Sequence, residues 1–342
     1  MKNTTIFLLV LFLLSCKNEK GIPDVSGIQA GVQVERFDQD FFALDTNNLG
    51  NGLTQLSQKY PEMTPLFLQY ILGLDNENVL GGVKAFLRLS RPIRDTINTV
   101  FKSTADIQQD FQQAFKYVKY YFPDYGIPKI ITVAGPVDAL AQSSSGPTPN
   151  FLRPEFLGVS LQFYLGKNFS VYNDPNYIEA VAPTYRSRRF SKEYIVADAM
   201  QLVIDNIFPD SSSDKSLIVQ MIEKGKRWWL LDKFMPKAPD YIKTGYTQEQ
   251  LDWCNENEGL IWTYILKQND LHSFNQATIQ TYIGEGPFTQ GFSQELSPGN
   301  IGQWIGRQIV KKFVSKNPNM SIEEVMRAST TEILDDAKYK PK

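Results

Sequence analysis

Helical periodicity constrains this chain more than any other feature. Between Ala105 and Phe122 the residues Ile107, Phe111, Phe115, Val118 and Phe122 recur at helical spacing, and Pro123 stops the run. The pattern returns along most of the sequence. Phe37, Phe41 and Leu44 share a helical face, and Leu66–Leu72 is a compact apolar piece after Pro65. Val79–Ser90 and Ile93–Phe101 follow, divided by Pro92. After Asn176 every segment reads as helix. Val196, Ala199, Met200, Val203 and Ile207 line one side of a helix over Ser191–Ile207, and Leu217–Phe234 predicts a long one. Thr247–Lys267 opens at a capping box, Thr247-Gln248-Glu249-Gln250, and Ser321-Ile322-Glu323-Glu324 forms another. Ser297-Pro298 is expected to open a helix with proline at its first position, carrying Ile301, Trp304, Ile305, Ile309 and Phe313 inward.

Strand signals are few. Lys129–Ala134 is a β-branched run between Pro128 and Gly135, Gly158–Leu165 alternates, and Val32 and Val34 alternate before the first helix. Ala141–Arg153, with its serines, Gly146, Pro147 and Pro149, predicts a loop. The fold class is therefore α+β, predominantly α-helical with a small β-sheet. No linker or repeat divides residues 32–342, which read as a single domain.

The N-terminus carries an address. Lys2 precedes the apolar run Ile6–Leu14, and Ser15-Cys16 closes it. The run is too short for a spanning helix, which needs about 20 residues. A basic start, a short apolar core and a small residue before the cut describe a signal peptide over residues 1–15, and the cysteine makes it a lipoprotein signal. Cys16 is expected to become the acylated first residue, carrying palmitate or a similar chain, with residues 16–31 as a polar tether. Stable anchoring takes more than one acyl chain, which a diacyl or triacyl cysteine supplies. Residues 17–20 hold one acid, so no acidic export cluster follows the cysteine, and the periplasmic face is expected.

The 35 basic and 37 acidic residues nearly cancel, which removes any general polyanion-binding character; no nucleic acid partner is expected. With Cys16 lipidated, Cys254 has no intrachain partner and reads as a small buried residue. His272 is the one histidine in the sequence. Zinc sites built from two or three histidines are thereby excluded, and no metal or other cofactor is expected. No Ser-His-Asp or Cys-His signature frames His272, so a surface position is expected for it.

Four carboxylate or amide residues and three arginines remain as candidates. Asp198, Gln201 and Asp205 share a helical face away from the apolar stripe, as a cleft wall or, more plainly, a solvated surface. Glu258 lies among Trp253, Asn257 and Trp262 on a helix expected to be buried over much of its girth, as a buried carboxylate or, more plainly, an ion-pair partner. Arg186, Arg188 and Arg189 form a basic patch that suits a phosphate, a carboxylated glycan or a headgroup, or simply a solvated loop. Gly302 and Gly306, four apart, predict close approach by another element. Gly284-Glu285-Gly286-Pro287 reads as a turn.

Several blocks resemble the gliding motility lipoprotein family GldB of the Bacteroidetes: Val34-Glu35-Arg36-Phe37-Asp38, Gly245-Tyr246-Thr247, Asn257-Glu258 with Ile261-Trp262, and most densely Ser297-Pro298-Gly299-Asn300-Ile301-Gly302-Gln303-Trp304-Ile305-Gly306-Arg307. The resemblance implies a cell-envelope lipoprotein tied to gliding motility and to type IX secretion, with envelope or motility-machinery proteins as partners. It also implies a degenerate zincin-like metallopeptidase architecture. In that alignment Ala197-Asp198-Ala199-Met200-Gln201 replaces H-E-x-x-H, leaving a pseudo-peptidase without the open zinc site that activates water. No catalytic residue carries over, and a non-enzymatic role is expected. Two alternatives stand beside it: a carboxylate-based cell-wall glycan hydrolase using Asp198, Asp205 or Glu258, and a peptidoglycan-binding module.

Overall fold

The structure is a computed structural model that describes residues 21–75, 77–143 and 146–341. Cys16 and the signal segment lie outside the described residues. The architecture is α+β: mainly helical, around one small mixed sheet. Four strands pair in the order β1 (Val34–Glu35), β2 (Lys129–Val133), β6 (Phe156–Ser160), β5 (Asn150–Leu152). β1 and β6 run parallel to β2, with Val34 opposite Ile130 and Ile131 opposite Gly158; β5 is antiparallel to β6 at the edge. A separate hairpin joins β3 (Ala141–Ser143) to β4 (Gly146–Thr148).

The sheet is covered on both faces, as parallel pairing demands. Ile130, Leu157 and Val159 enter the main core with the helices from Ile195 onward. Ile131, Val133 and Phe156 turn the other way, into a smaller core with Phe37, Phe41, Leu56, Phe67 and Val83. The Val34–Asp38 block fastens the two layers. Arg36 donates to both oxygens of Asp38 at 2.9 and 2.7 Å and to the Phe101 carbonyl at 3.0 Å. Thr132 on β2 donates to the same carboxylate, which is 2 % exposed. A buried acid with this many donors is satisfied, and losing either partner would strand the other.

The long helices Leu217–Phe234 and Ile301–Lys316 cross at their glycines. A Cβ on Gly306 would fall 1.8 Å from the Met221 carbonyl oxygen, and one on Gly225 would fall 2.2 Å from the Gly306 carbonyl carbon. Backbone thus meets backbone, which offsets the roughly 1 kcal/mol that each helical glycine costs. Beside the crossing Arg307, 1 % exposed, donates to both oxygens of Asp232 and to Asp240, and Lys243 completes the cluster.

Several sequence expectations change. Val25 and Ala30 are buried, so packing begins inside the stretch expected to be tether. The Ala141–Arg153 loop contains β3, β4 and β5, because β3 and β4 pair with each other and β5 pairs with β6 despite the Gly/Pro content. β6 begins at Phe156 and gives way to a 3-10 turn at Leu161 rather than continuing to Leu165. Ser297-Pro298 does not open a helix. The Ser297 hydroxyl donates to the Ser293 carbonyl, the Pro298 carbonyl accepts from Thr289, and Asn300 is left-handed at φ 48° before the helix starts at Ile301. Thr247–Lys267 breaks at Asn257, whose side-chain amide returns to the Trp253 carbonyl at 2.8 Å. The two resulting helices bury one stripe each, not most of their girth. Both capping boxes are present at Thr247 and Ser321. Cys254 is free and buried, and burial pushes its thiol up.

Candidate functional site

The Ile195–Ile207 helix buries Ile195, Val196, Ala199, Met200, Val203 and Ile204 against the core. The opposite side, with Asp198, Gln201 and Asp205, is not a solvated surface. It faces β4 and the segment around Arg186 and Arg189, and these residues line a common cavity with Glu285. The arginines, expected on a solvated loop, also turn inward. Glu285 holds both: one oxygen accepts from Arg189 at 2.7 Å, and the other from the Arg186 Nε at 2.9 Å. The side chains are 15, 22 and 25 % exposed for Arg186, Arg189 and Glu285, so the pairing is largely withdrawn from water. Burial works to raise the Glu285 pKa, but the two guanidiniums outweigh it and hold the carboxyl below its ordinary range.

Asp198 sits in the same cluster under the opposite balance. Its Oδ2 accepts a 2.9 Å hydrogen bond from Tyr164, a fully buried residue just beyond β6. Burial dominates and pushes Asp198 up to about 6, although Arg189 and the Tyr164 hydroxyl pull it back. Burial and the Asp198 charge drive the Tyr164 phenol well up in turn. Asp205 pairs with Arg227 at 3.0 Å, and Arg227 also donates to the Phe208 carbonyl, tying this helix to the next.

Two predicted residues stay apart. Arg188 donates to the Gly245 carbonyl and to the Gln250 amide oxygen that also closes the Thr247 capping box. Glu258 heads the Glu258–Gln268 helix and accepts from the Tyr339 hydroxyl; among the described residues it makes no ion pair, and it does not line the cleft.

The space beside Asp198 is about 60 Å³, room for a few waters and too small for a sugar ring. Arg186 and Glu285 also border a larger cavity of about 550 Å³, lined by Lys224, Asp210, Gln220, Gln280 and Gln303. There Lys224 pairs with Asp210 at 2.8 Å. Burial opposes ionisation of Asp210, but Lys224 and Arg227 bring it down to about 2. Among the described residues no group of three or more His, Cys, Asp or Glu is placed to hold a metal ion.

Sequence reasoning missed Glu285 and Tyr164. The signal for Glu285 was its frame. A Cβ on Gly299 would fall 2.4 Å from the Gly286 carbonyl oxygen, so this turn packs against neighbouring backbone and delivers its acid inward.

The fold and site thus define a mainly helical α+β protein with a buried, internally paired polar cleft, and no helix among the described residues is long and apolar enough to cross a membrane. The family model for gliding motility protein GldB matches residues 18–341, and the chain belongs to this family of gliding motility lipoproteins. No curated protein and no solved structure matches the chain.

Proposed function

We propose that this chain is a non-catalytic, lipid-anchored envelope protein that works by contact within the gliding machinery and, through it, in type IX secretion, with its body on the periplasmic side. The observation that carries the non-catalytic part is the pairing inside the cleft. Arg186, Arg189, Glu285, Asp205, Arg227, Asp210 and Lys224 each hold an opposite charge, which leaves little free charge to meet a substrate. In this reading the Ile195–Ile207 helix stands where a zincin-like peptidase would carry its metal ligands, and Asp198 and Gln201 now serve packing and pairing. Residues 6–16 support the anchor, and envelope or motility proteins are the proposed partners.

One observation favours a second reading. Asp198, raised to about 6, and Glu285, held low, are neighbouring carboxyls pushed apart in pKa, a pattern of acid–base sites. A glycan hydrolase would use them so. The small space at Asp198 and the removal of Glu258 from the cleft weigh against it. The amide-lined cavity of about 550 Å³ is the place a peptidoglycan fragment would bind in a purely binding version.

The test is complementation of a deletion strain of a gliding host. Asp198→Asn should restore surface spreading, whereas Cys16→Ser should leave the protein off the membrane and spreading impaired. Loss of spreading with a stably folded Asp198→Asn protein would overturn the non-catalytic reading. Retention of the Cys16→Ser protein on membranes would overturn the anchor.

A further inference from the structure

A second charged region lies in the smaller layer, across the sheet from Asp198. It forms where the Val79–Leu89 helix, the start of the Arg91–Val100 helix and residues 42–46 meet. Lys84, Arg88, Arg91 and Arg94 line a groove of about 700 Å³ whose floor includes Phe42 and Leu87. Asp45 is the carboxylate among the described lining residues. Asp95 holds Arg94, but among the described residues no ion pair reaches Lys84, Arg88 or Arg91, all three exposed. The whole chain carries a net charge of only −2, so this is a local concentration of cations. Like charges at helical spacing repel, and exposed side chains are not needed for packing, so the fold itself does not account for them.

The surroundings select the ligand. Leu80 and Leu89 on the same helix are 49 and 70 % exposed, and Tyr70 in the same layer is 80 % exposed. Cations beside exposed apolar side chains make an interfacial surface; a soluble polyanion has no use for the leucines. On the lipid-anchor reading the incoming chain keeps the whole body near lipid: Val25 is already packed, and Ala30 and Val32 join the main core. The stretch from Cys16 to Val25 spans at most about 30 Å when fully extended, against a radius of gyration of roughly 20 Å for a body this long. A body anchored at Cys16 therefore stays beside the headgroups.

We propose that the groove lined by Lys84, Arg88, Arg91 and Arg94 binds the phosphate headgroups of anionic lipid in the bilayer that holds the anchor. The nearness argument rests on the lipid-anchor reading; headgroup binding itself does not. An acyl anchor and a basic patch are complementary signals, and the anchor turns a weak headgroup contact into an intramolecular one.

The experiment uses the chain from residue 16 with Cys16→Ala, so that no lipid on the protein masks the contact. Sedimentation with phosphatidylcholine vesicles, with and without phosphatidylglycerol, should show binding only to the anionic set. Added salt should reduce it. At about fivefold per cation, Lys84→Gln/Arg88→Gln/Arg91→Gln should weaken it on the order of 100-fold. The same substitutions at Lys267, Lys312 and Arg327, remote in sequence, should leave it unchanged. Equal binding to both vesicle sets, or full binding by the groove variant, would overturn the proposal. So would binding to polyglutamate without binding to vesicles. Competition by inorganic phosphate at low concentration would assign the groove to free phosphate rather than lipid and overturn it as well. Because the assay does not depend on acylation, its failure leaves the anchor reading standing, and failure of the anchor leaves this result readable.

Discussion

Arg186 and Arg189 share one carboxylate in the cleft, whereas among the described residues no carboxylate pairs with Lys84, Arg88 or Arg91 in the groove. Both regions are runs of cations in a nearly neutral chain, and both are made by helix ends and turns. In the cleft a carboxylate from far along the chain, Glu285, arrives to neutralise the arginines, and burial follows. In the groove no carboxylate among the described residues pairs with Lys84, Arg88 or Arg91, and those side chains stay exposed. Desolvation explains the split. A buried cation without a partner costs several kcal/mol, so burial and pairing go together. Charges left unpaired at the surface cost little for folding and remain available for a ligand.

The largest expected effect breaks the cleft. Glu285→Ala strands Arg186 and Arg189 without their acid, and removing one partner of a buried pair typically costs about 3–5 kcal/mol. The urea midpoint should fall accordingly. Glu285→Gln keeps the shape and one acceptor, so it should cost less. A loss under about 1 kcal/mol for Glu285→Ala would mean that water reaches the arginines and that the cleft resembles the groove after all.

A smaller, pH-dependent effect belongs to Asp198. Its pKa is raised to about 6, so the folded state holds this proton more tightly than the unfolded chain does. Its contribution is fully present below the ordinary carboxylate range and is lost as pH rises from about 4 through 6. Asp198→Asn removes the ionisation while still accepting from Tyr164. The variant should match the parent near pH 4 and exceed it by about 1–2 kcal/mol at pH 8, a discounted figure because part of the carboxylate meets water. Parallel stability curves across that range would show that Arg189 fully compensates the charge.

The same contrast explains what the sequence disclosed. Helices were legible wherever one face is apolar and the ends are capped, as at Ala105–Tyr121 and at both capping boxes. Gly302 and Gly306 announced close approaches, Gly302 to Tyr282 and Gly306 to Met221, because a helical glycine costs stability unless packing offsets it. The cleft was legible only in halves. The Asp198 face and the Arg186–Arg189 run were both visible, but each looked solvated because periodicity reports which residues avoid water, not which polar residues find one another. Glu285 lies nearly a hundred residues from its arginines, and no local rule joins them. β5 was hidden for a related reason: its pairing with β6 is tertiary, and its three residues lie between Pro149 and Pro154.

The smallest expected effect tests the groove as a folding element. Lys84→Gln/Arg88→Gln/Arg91→Gln removes three charges that the described residues do not pair, from side chains that stay exposed. Surface changes of this kind fall within about 0.5 kcal/mol each, and relief of like-charge repulsion between Lys84 and Arg88 works toward a slight gain. Thermal unfolding at low salt should therefore be unchanged or marginally higher, and the difference should shrink as salt screens the repulsion. A large loss of stability would mean that the cations are held by the fold, as in the cleft, and the distinction between the two regions would collapse. Unchanged stability together with lost vesicle binding would show that this cationic cluster is kept for something outside the chain.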